Sequence, residues 1–168
     1  GKEEQDKFKG LYGTELTLVD DTVNIVVRPS ELPLEGTTYV VFDTETTGFN
    51  AGGGDQMIEI GAVKICGDEI VERFDELIDP KMHIPDKITE LTCITDEMLQ
   101  GKDNEDVVTK KFLEWAGDLP MVAHNAKFDI NMLSMAYHKY NLGELTNSVL
   151  DTMIISQIIN PNLKRHNL

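Results

Sequence analysis

A short apolar run, residues 39–42, leads directly into Asp43, Thr44 and Glu45. Side chains alternate between the two faces of a β-strand, so Asp43 and Glu45 project from the same face. Two neighbouring carboxylates repel each other unless a cation lies between them. Oxygen ligands of this kind suit hard divalent cations such as Mg²⁺ or Mn²⁺. An isolated Asp-x-Glu is commonly a solvated acidic turn, so a metal site here needs support from elsewhere in the chain.

A second polar element, residues 121–129, begins with an apolar run and ends in the sequence His-Asn-Ala-Lys-Phe-Asp. The pattern predicts a strand followed by a helix over residues 126–140, with Asn125 as the N-cap residue. Asp129 then lies in the early turns of that helix, where unpaired N–H groups favour a negative charge. Taken alone, Asp129 is explained by stabilisation of a helix start, and Phe128 is more typical of a core residue.

The remaining sequence alternates between strand and helix patterns, which predicts an α/β fold with a mixed sheet flanked by helices. Strands are expected at residues 39–43, 57–66, 69–78, 120–123 and 148–151, and helices near 85, at 104–116 and at 152–159. Asp151 is expected to end the last strand and to cap the helix that follows. Apolar runs on both sides of residues 20–22 predict a small N-terminal β-hairpin, and residues 29–36 have the composition of a linker. We therefore expect an N-terminal flank over residues 1–36 and the main domain over residues 37–168.

Considered together, the motifs at 43–48 and 124–129 resemble the first two of three motifs in the DEDD-type 3′–5′ exonucleases. Between them, residues 90–99 are similar to the segment that contacts the 3′-terminal base in the proofreading branch, although Cys93 replaces the usual Gly. The order and spacing of the three segments match the family. The resemblance implies a ribonuclease H-like fold and hydrolysis of nucleotides from 3′ ends.

The resemblance also implies roles for individual residues. Asp43, Glu45 and Asp129 would be the catalytic acids and would hold two divalent metal ions, Mg²⁺ or Mn²⁺, for two-metal hydrolysis of a phosphodiester. The substrate-binding residues would surround them: Thr46, Thr47, Gly48, Leu91, Ile94, Asn125 and Phe128. For Leu91, the core of a short helix is an equally good explanation.

The family's third motif supplies a fourth acid, and in one branch a His five residues before it acts as the general base. The sequence ends at Leu168, so His166 has no such acid to pair with and is not expected to be catalytic. Asp151 is better explained as a helix cap than as the fourth acid. We therefore expect these 168 residues to hold three of the four acids and to be almost inactive alone.

The flank narrows the resemblance, because residues 9–15 and 19–21 look like the sequence just ahead of the exonuclease domain in PolC-type DNA polymerase III. This implies proofreading during DNA replication, with single-stranded or frayed 3′ DNA ends as substrate and the remainder of the polymerase polypeptide as partner. Two other functions stay open. One is an exoribonuclease of the same fold, whose acids would be identical. The other is a catalytically silent module that binds nucleic-acid ends or proteins.

Composition constrains the partners and the compartment. The chain has a net charge of −15 and lacks the basic surface that is typical of a dedicated nucleic-acid binder. Bound metal ions would offset part of the negative charge at the site. No apolar run approaches the roughly 20 residues of a membrane span, and no signal peptide is visible, so we expect a cytoplasmic protein without membrane contact. Cys66 and Cys93 stand in apolar settings and are expected to be reduced thiols in the core.

Overall fold

The structure, a computed structural model, describes residues 25–50 and 53–168. The flank at 9–21 and most of the predicted N-terminal hairpin lie outside the described residues. The last residues of that predicted hairpin, Val26–Val27, form the first described strand and pair with the main sheet.

The described part of the chain contains six strands and five helices, in the α/β order that the sequence predicts. The strands are β1 (Val26–Val27), β2 (Thr38–Thr46), β3 (Met57–Cys66), β4 (Glu69–Leu77), β5 (Met121–Ala123) and β6 (Val149–Asp151). The helices are α1 (Asp86–Thr92), α2 (Asp96–Leu99), α3 (Glu105–Ala116), α4 (Lys127–Lys139) and α5 (Thr152–Ile159). Among these helices, none has the length and apolar character needed to cross a membrane.

All six strands form one open mixed sheet in the order β1-β6-β5-β2-β3-β4. Strands β2, β3 and β4 form an antiparallel meander, whereas β5 and β6 run parallel to β2, and β1 is antiparallel to β6. Because β2, β5 and β6 share one direction, their carboxyl ends meet at the same edge of the sheet. Open α/β sheets generally bind ligands at that edge.

One face of the sheet carries the main core. Alternate residues of β2 and β3 point to this face and pack against α3 and α4, so the helices cover it. Phe112 of α3 lies at its centre, with its ring 5.8 Å from that of Phe42 and 5.4 Å from that of Phe74. Burial of each such side chain contributes roughly 1.5–3 kcal/mol to stability. The buried residues of this core include Val40, Phe42, Ile60, Ala62, Val108, Phe112, Met121, Leu133 and Val149.

A smaller core fixes α1 and α2 beside the start of β3. It consists of Ile58, Ile84, Ile88, Ile94 and Leu99, with Leu77 packed against it. This cluster holds the segment that resembles the base-contacting region of the exonucleases, so that segment is anchored to the sheet.

The ladder between β2 and β3 is interrupted next to the acidic motif. Glu45 pairs with Glu59, but Thr46 pairs with Met57, so Ile58 is an extra residue in β3. Met57 and Ile58 are consecutive and both buried, each in a different apolar cluster. A bulge bends and twists a strand and is frequent beside active sites. The chain therefore leaves the regular ladder directly after the two acids.

The expectation that both cysteines are core thiols is wrong, because both are exposed. Cys66 is the last residue of β3, at the turn into β4. Cys93 ends α1 with a φ of 62°, a left-handed conformation that glycine adopts most easily. Apolar neighbours in sequence did not bury these side chains because each cysteine lies where an element ends. The conformation of Cys93 also explains why the exonuclease motif usually has glycine there.

Candidate active site

Asp43 and Glu45 project from the face of β2 opposite the main core, as the strand alternation predicts. Asp43 is exposed and Glu45 is half-buried. In β3 they pair with Gly61 and Glu59, respectively. Gly61 has no side chain, which leaves space beside Asp43. The two acids line a groove of about 330 Å³ together with Glu59, Gly61, Arg73 and Asp75.

Asp129 reaches the same strand from the first turn of α4. Its side chain is only 2% exposed. Its Oδ1 accepts hydrogen bonds from the backbone N–H of Thr44, at 3.0 Å, and from the Thr44 hydroxyl, at 2.7 Å. The backbone N–H of Thr44 lies beyond the pairing of β2 with β5, which extends only as far as Val41. Asp129 is therefore attached to the residue that separates Asp43 from Glu45.

The three acids interact electrostatically. Burial raises the pKa of Asp129 to about 6; the hydrogen bonds from Thr44 oppose this rise, and the charge on Asp43 adds to it. Burial also raises the pKa of Glu45, again with a smaller contribution from Asp43. Asp43 thus lies close enough to disfavour the charged form of both other acids. A cation among them would relieve that repulsion.

The start of α4 differs from the prediction. Asn125 is not the N-cap; its φ is 61°, and the cap position is Ala126, which makes no side-chain cap hydrogen bond. Asp151, the last residue of β6, satisfies the N–H groups at this helix start instead. Its carboxylate accepts from the backbone N–H groups of Asn125 at 3.1 Å and Ala126 at 3.0 Å. The Asn125 side chain is exposed beside the acids' end of the sheet.

The structural role expected for Asp151 is confirmed. Its carboxylate caps α5 by accepting from the N–H groups of Met153 and Ile154, in addition to its two bonds to the start of α4. Three of these donors bind Oδ1 and one binds Oδ2, so this buried carboxylate is explained by the two helix starts.

The sequence interpretation missed a further acidic pair in the groove, Glu59 and Asp75. Burial raises the pKa of Glu59, and the charges on Asp75, Glu45 and Asp43 add to that rise. A lone glutamate inside the otherwise apolar run at 57–60 was the available signal, because it pairs with Glu45 once β3 is placed beside β2.

The turn after Glu45 is tightly bonded. The hydroxyl of Thr46 donates to the carbonyl of Gly48 at 2.6 Å, and the hydroxyl of Thr47 donates to Asp55 at 3.3 Å. Both threonines are buried, so their hydroxyls serve the turn itself. Gly48 lies directly against Asp55.

Two aromatic rings lie beside each other beyond this turn, with an angle of 55° between their planes. Phe49 is 72% exposed, and its ring centroid lies 6.2 Å from that of the half-buried Phe128. The rings border a groove of about 360 Å³. Phe49 was not identified from the sequence, although its position directly after the acidic motif was a signal.

Leu91 and Ile94, expected near the terminal base, differ in accessibility. Leu91 is 67% exposed on α1, which excludes the alternative that it is a core residue. Ile94 is 4% exposed and belongs to the small core. Ile88 takes the core position of α1 instead.

The donor set fits a divalent cation by its chemistry. Carboxylate oxygens are hard ligands, and in the ranges 25–50 and 53–168 no lysine, arginine or histidine forms an ion pair with Asp43, Glu45 or Asp129. Within the same ranges, no three acidic, histidine or cysteine side chains gather closely enough to hold one ion together. The acids are therefore neighbours without forming a closed metal site.

Residues 40–168 match the family model described as an exonuclease. The chain belongs to this exonuclease family. Its members generally use divalent metal ions and a two-metal mechanism. The acids at the carboxyl edge of the sheet therefore lie in a domain whose reaction is nucleolytic.

Curated relatives are PolC-type DNA polymerase III proteins. The chain is 42% identical to that of Listeria monocytogenes over 161 residues, covering 96% of this chain and 11% of the relative. It is 40% identical to that of Halalkalibacterium halodurans over 168 residues, covering 100% of this chain and 12% of the relative. The chain thus spans about a ninth of the length of the curated relatives it matches.

Solved structures with the same fold are also exonucleases. Exonuclease X in complex with 5′ overhanging duplex DNA is 25% identical, with a TM-score of 0.60 over 75% of this chain and 66% of that chain. E. coli exonuclease I in complex with an oligonucleotide is 16% identical, with a TM-score of 0.63 over 73% of this chain and 29% of that chain. The ribonuclease H-like fold expected from the sequence is confirmed.

Proposed function

We propose that this domain is a 3′–5′ exodeoxyribonuclease that proofreads newly made DNA within a PolC-type DNA polymerase III. The observation that carries the proposal is the attachment of Asp129 to Thr44, between Asp43 and Glu45. It attaches Asp129 to the strand that carries the other two acids, and the charge on Asp43 disfavours the charged form of both Glu45 and Asp129. Identities of 40–42% to PolC-type polymerases, over nearly the whole chain, support the replicative context.

In this proposal Asp43, Glu45 and Asp129 hold two divalent ions, Mg²⁺ or Mn²⁺. Such ions, when bound, lower the pKa of the attacking water and stabilise the charge that develops on the leaving 3′ oxygen. Asp43 and Glu45 present their carboxylates to the open groove. Thr44 holds Oδ1 of Asp129 and so fixes the direction of the carboxylate. A fourth ligand and the general base would come from the remainder of the polymerase.

The terminal nucleotide would lie beside the acids, with a base against Phe49 and Phe128. Stacking on an aromatic ring contributes roughly 1–3 kcal/mol per base and tolerates any base, as proofreading requires. Thr46, Thr47 and Gly48 shape the turn that carries Phe49. The further substrate-binding residues that we propose are Leu91 and Asn125, which are exposed, and Ile94, which would support α1 from the small core.

The acidic composition requires a particular mode of binding. A chain with a net charge of −15 repels phosphates at long range. Bound divalent ions, contact with few nucleotides, and attraction by the rest of the polymerase would offset that repulsion. The proposal therefore treats residues 1–36 as a flank that joins residues 37–168 to that polypeptide, in the cytoplasm.

The test uses the complete polymerase of which we propose this domain is part, with 5′-labelled DNA whose 3′ end is matched, mispaired or single-stranded. We expect shortening from the 3′ end, slowest on matched duplex, because freeing a paired and stacked base costs a few kcal/mol. Asp43→Ala should abolish shortening. Asp103→Ala removes the same charge from an exposed acid that is paired with Lys111, and this variant should shorten DNA as wild type does.

Three results would contradict the proposal. These are degradation from the 5′ end, equal rates on matched and mispaired ends, and full activity of Asp43→Ala. A parallel RNA substrate separates the exoribonuclease alternative, because a clear preference for RNA over DNA would favour that function instead.

A further inference from the structure

We propose that Asp55 is a positioning residue that holds Phe49 opposite Phe128 for the 3′-terminal base. The inference rests on the proposed function, because it gives Phe49 a substrate to contact. Asp55 lies between the acidic turn and β3 and touches neither Asp43 nor Glu45 through any hydrogen bond of the described residues.

The Asp55 carboxylate joins two points of the turn. Its Oδ2 accepts from the backbone N–H of Asn50 at 2.9 Å, and its Oδ1 accepts from the hydroxyl of Thr47 at 3.3 Å. The backbone N–H of Asp55 donates to the carbonyl of Asn50 at 3.3 Å. One side chain therefore closes the turn on both sides of Phe49.

Thr47 attaches this closed turn to the start of β3. Its backbone N–H donates to the carbonyl of Gln56 at 2.9 Å, and its hydroxyl accepts from the backbone N–H of Gln56 at 3.0 Å. Thr47 is 3% exposed, so it is buried at the base of the turn, and its bond to the N–H of Gln56 is partly buried. Asp55 thus acts on a turn whose base is already fixed to the sheet.

Gly48 shows how closely the carboxylate approaches the turn. A Cβ atom built at residue 48 would overlap both carboxylate oxygens of Asp55. The backbone of Gly48 is not in the left-handed region, so the absence of a side chain, rather than its conformational freedom, is what this position needs. The Asp55 carboxylate can therefore occupy this position only because residue 48 has no side chain.

The exposure of Phe49 makes this support necessary. Phe49 is 72% exposed, so its ring gains little from packing, and among the described residues Phe128 is its one aromatic neighbour. The position of the ring must then come from the backbone on either side, where Gly48 contacts Asp55 and Asn50 donates to it. Without the carboxylate, the ring would have to be ordered when DNA binds, at a cost in affinity.

The experiment measures binding of a single-stranded oligonucleotide with 2-aminopurine at its 3′ end, whose fluorescence falls when the base stacks. Ca²⁺ replaces Mg²⁺ to prevent hydrolysis, and the salt concentration is low. Asp55→Ala should weaken binding by about fivefold or more and reduce the fluorescence change, as loss of part of one stacking contact would. Asp68→Ala, which removes the same charge from the exposed β3–β4 turn, should bind like wild type.

Two further variants separate positioning from general damage. In the Phe49→Ala background, Asp55→Ala should have no further effect on binding, because Asp55 acts through Phe49. Gly48→Ala should weaken binding as Asp55→Ala does, since the new methyl group displaces the carboxylate. Adding Asp55→Ala to Gly48→Ala should then cause no additional loss.

The inference is overturned if Asp55→Ala binds within twofold of Asp68→Ala, or if its effect adds fully to that of Phe49→Ala. Should Asp55→Ala fail to fold in a urea titration, Gly48→Ala supplies the same comparison. Either result leaves the exonuclease proposal standing. Equal fluorescence changes for probes at the 3′ and 5′ ends of wild-type complexes would contradict both.

Discussion

The backbone N–H and the hydroxyl of Thr44 both donate to Oδ1 of Asp129, at 3.0 and 2.7 Å. Thr44 points to the buried face of β2, whereas its neighbours Asp43 and Glu45 point to the open face. The first turn of α4 is thereby joined to the strand between the two acids. Asp129 consequently affects the stability of the fold as well as the composition of the site.

Replacing Thr44 with Val should destabilise the domain by about 1.5–3 kcal/mol at pH 8, the usual range for a hydrogen bond to a charged group. Urea unfolding in EDTA measures the change. Thr109→Val is the matched control, because the Thr109 hydroxyl is buried and has no hydrogen-bond partner among residues 25–50 and 53–168. That substitution should be neutral or stabilising. Equal losses of stability in the two variants would show that the hydrogen bond from Thr44 to Asp129 does not stabilise the fold.

The stability of the metal-free domain should fall between about pH 4 and pH 6 because of Asp129. The folded state raises the pKa of this carboxyl from 3.8 to about 6, so it binds a proton more tightly than the unfolded chain does. The protonated Asp129 therefore stabilises the folded state. This stabilisation is complete below the pKa of Asp129 in the unfolded chain, and it is lost as the pH rises through the pKa in the folded state. The loss should amount to about 3 kcal/mol.

Asp129→Asn isolates this contribution, because asparagine does not titrate and can still accept from Thr44. In EDTA, the difference in the free energy of unfolding between the variant and wild type should shift by about 3 kcal/mol in favour of the variant from pH 4 to pH 8. Urea titrations at both pH values measure this difference. A constant difference between the two proteins would mean that Asp129 titrates normally.

Asp151→Ala should reduce stability and leave the metal site largely intact in the folded fraction. The carboxylate accepts from the N–H groups at the starts of both α4 and α5, and loss of a helix cap alone costs about 1 kcal/mol. We expect a loss of about 2 kcal/mol or more, with Mn²⁺ affinity nearly unchanged below the unfolding transition. A large loss of Mn²⁺ affinity at normal stability would instead make Asp151 a metal ligand.

Glu105→Ala should be strongly destabilising. This 4% exposed carboxylate accepts from the N–H of Met57 at 3.0 Å, from Lys139 at 2.9 Å and from the hydroxyl of Tyr140 at 2.8 Å. Removing it leaves a buried N–H without a partner, so we expect a loss of about 3 kcal/mol or more. The exposed pair between Asp103 and Lys111 is the control, and Asp103→Ala should cost at most about 1 kcal/mol.

The apolar periodicity of the sequence was sufficient to predict the strands and most helices, because each element buries one clear face. Strand β3 occupies 57–66 as predicted, and α3, α4 and α5 agree to within a residue or two. Helix α2 was missed, since four residues cannot show a helical period. Strand alternation alone was sufficient to predict that Asp43 and Glu45 project from the same face of β2.

The relationships that could not be predicted depend on contacts between distant residues. The bulge at Ile58 arises from packing two consecutive side chains into different cores. Asn125 failed as a cap because Asp151, far away in sequence, satisfies the N–H groups there. The bond from Thr44 to Asp129 is of the same kind, since no local pattern pairs residues 85 positions apart.

Calorimetric titration of Mn²⁺ into the folded chain tests the central claim most directly, because it needs no catalysis. We predict that wild type binds Mn²⁺, that Asp43→Ala weakens binding more than Glu45→Ala or Asp129→Ala does, and that Asp103→Ala binds as wild type does. Asp43 should matter most because its charge acts on both other acids. Equal Mn²⁺ affinity for wild type and Asp43→Ala would contradict the assignment of the site.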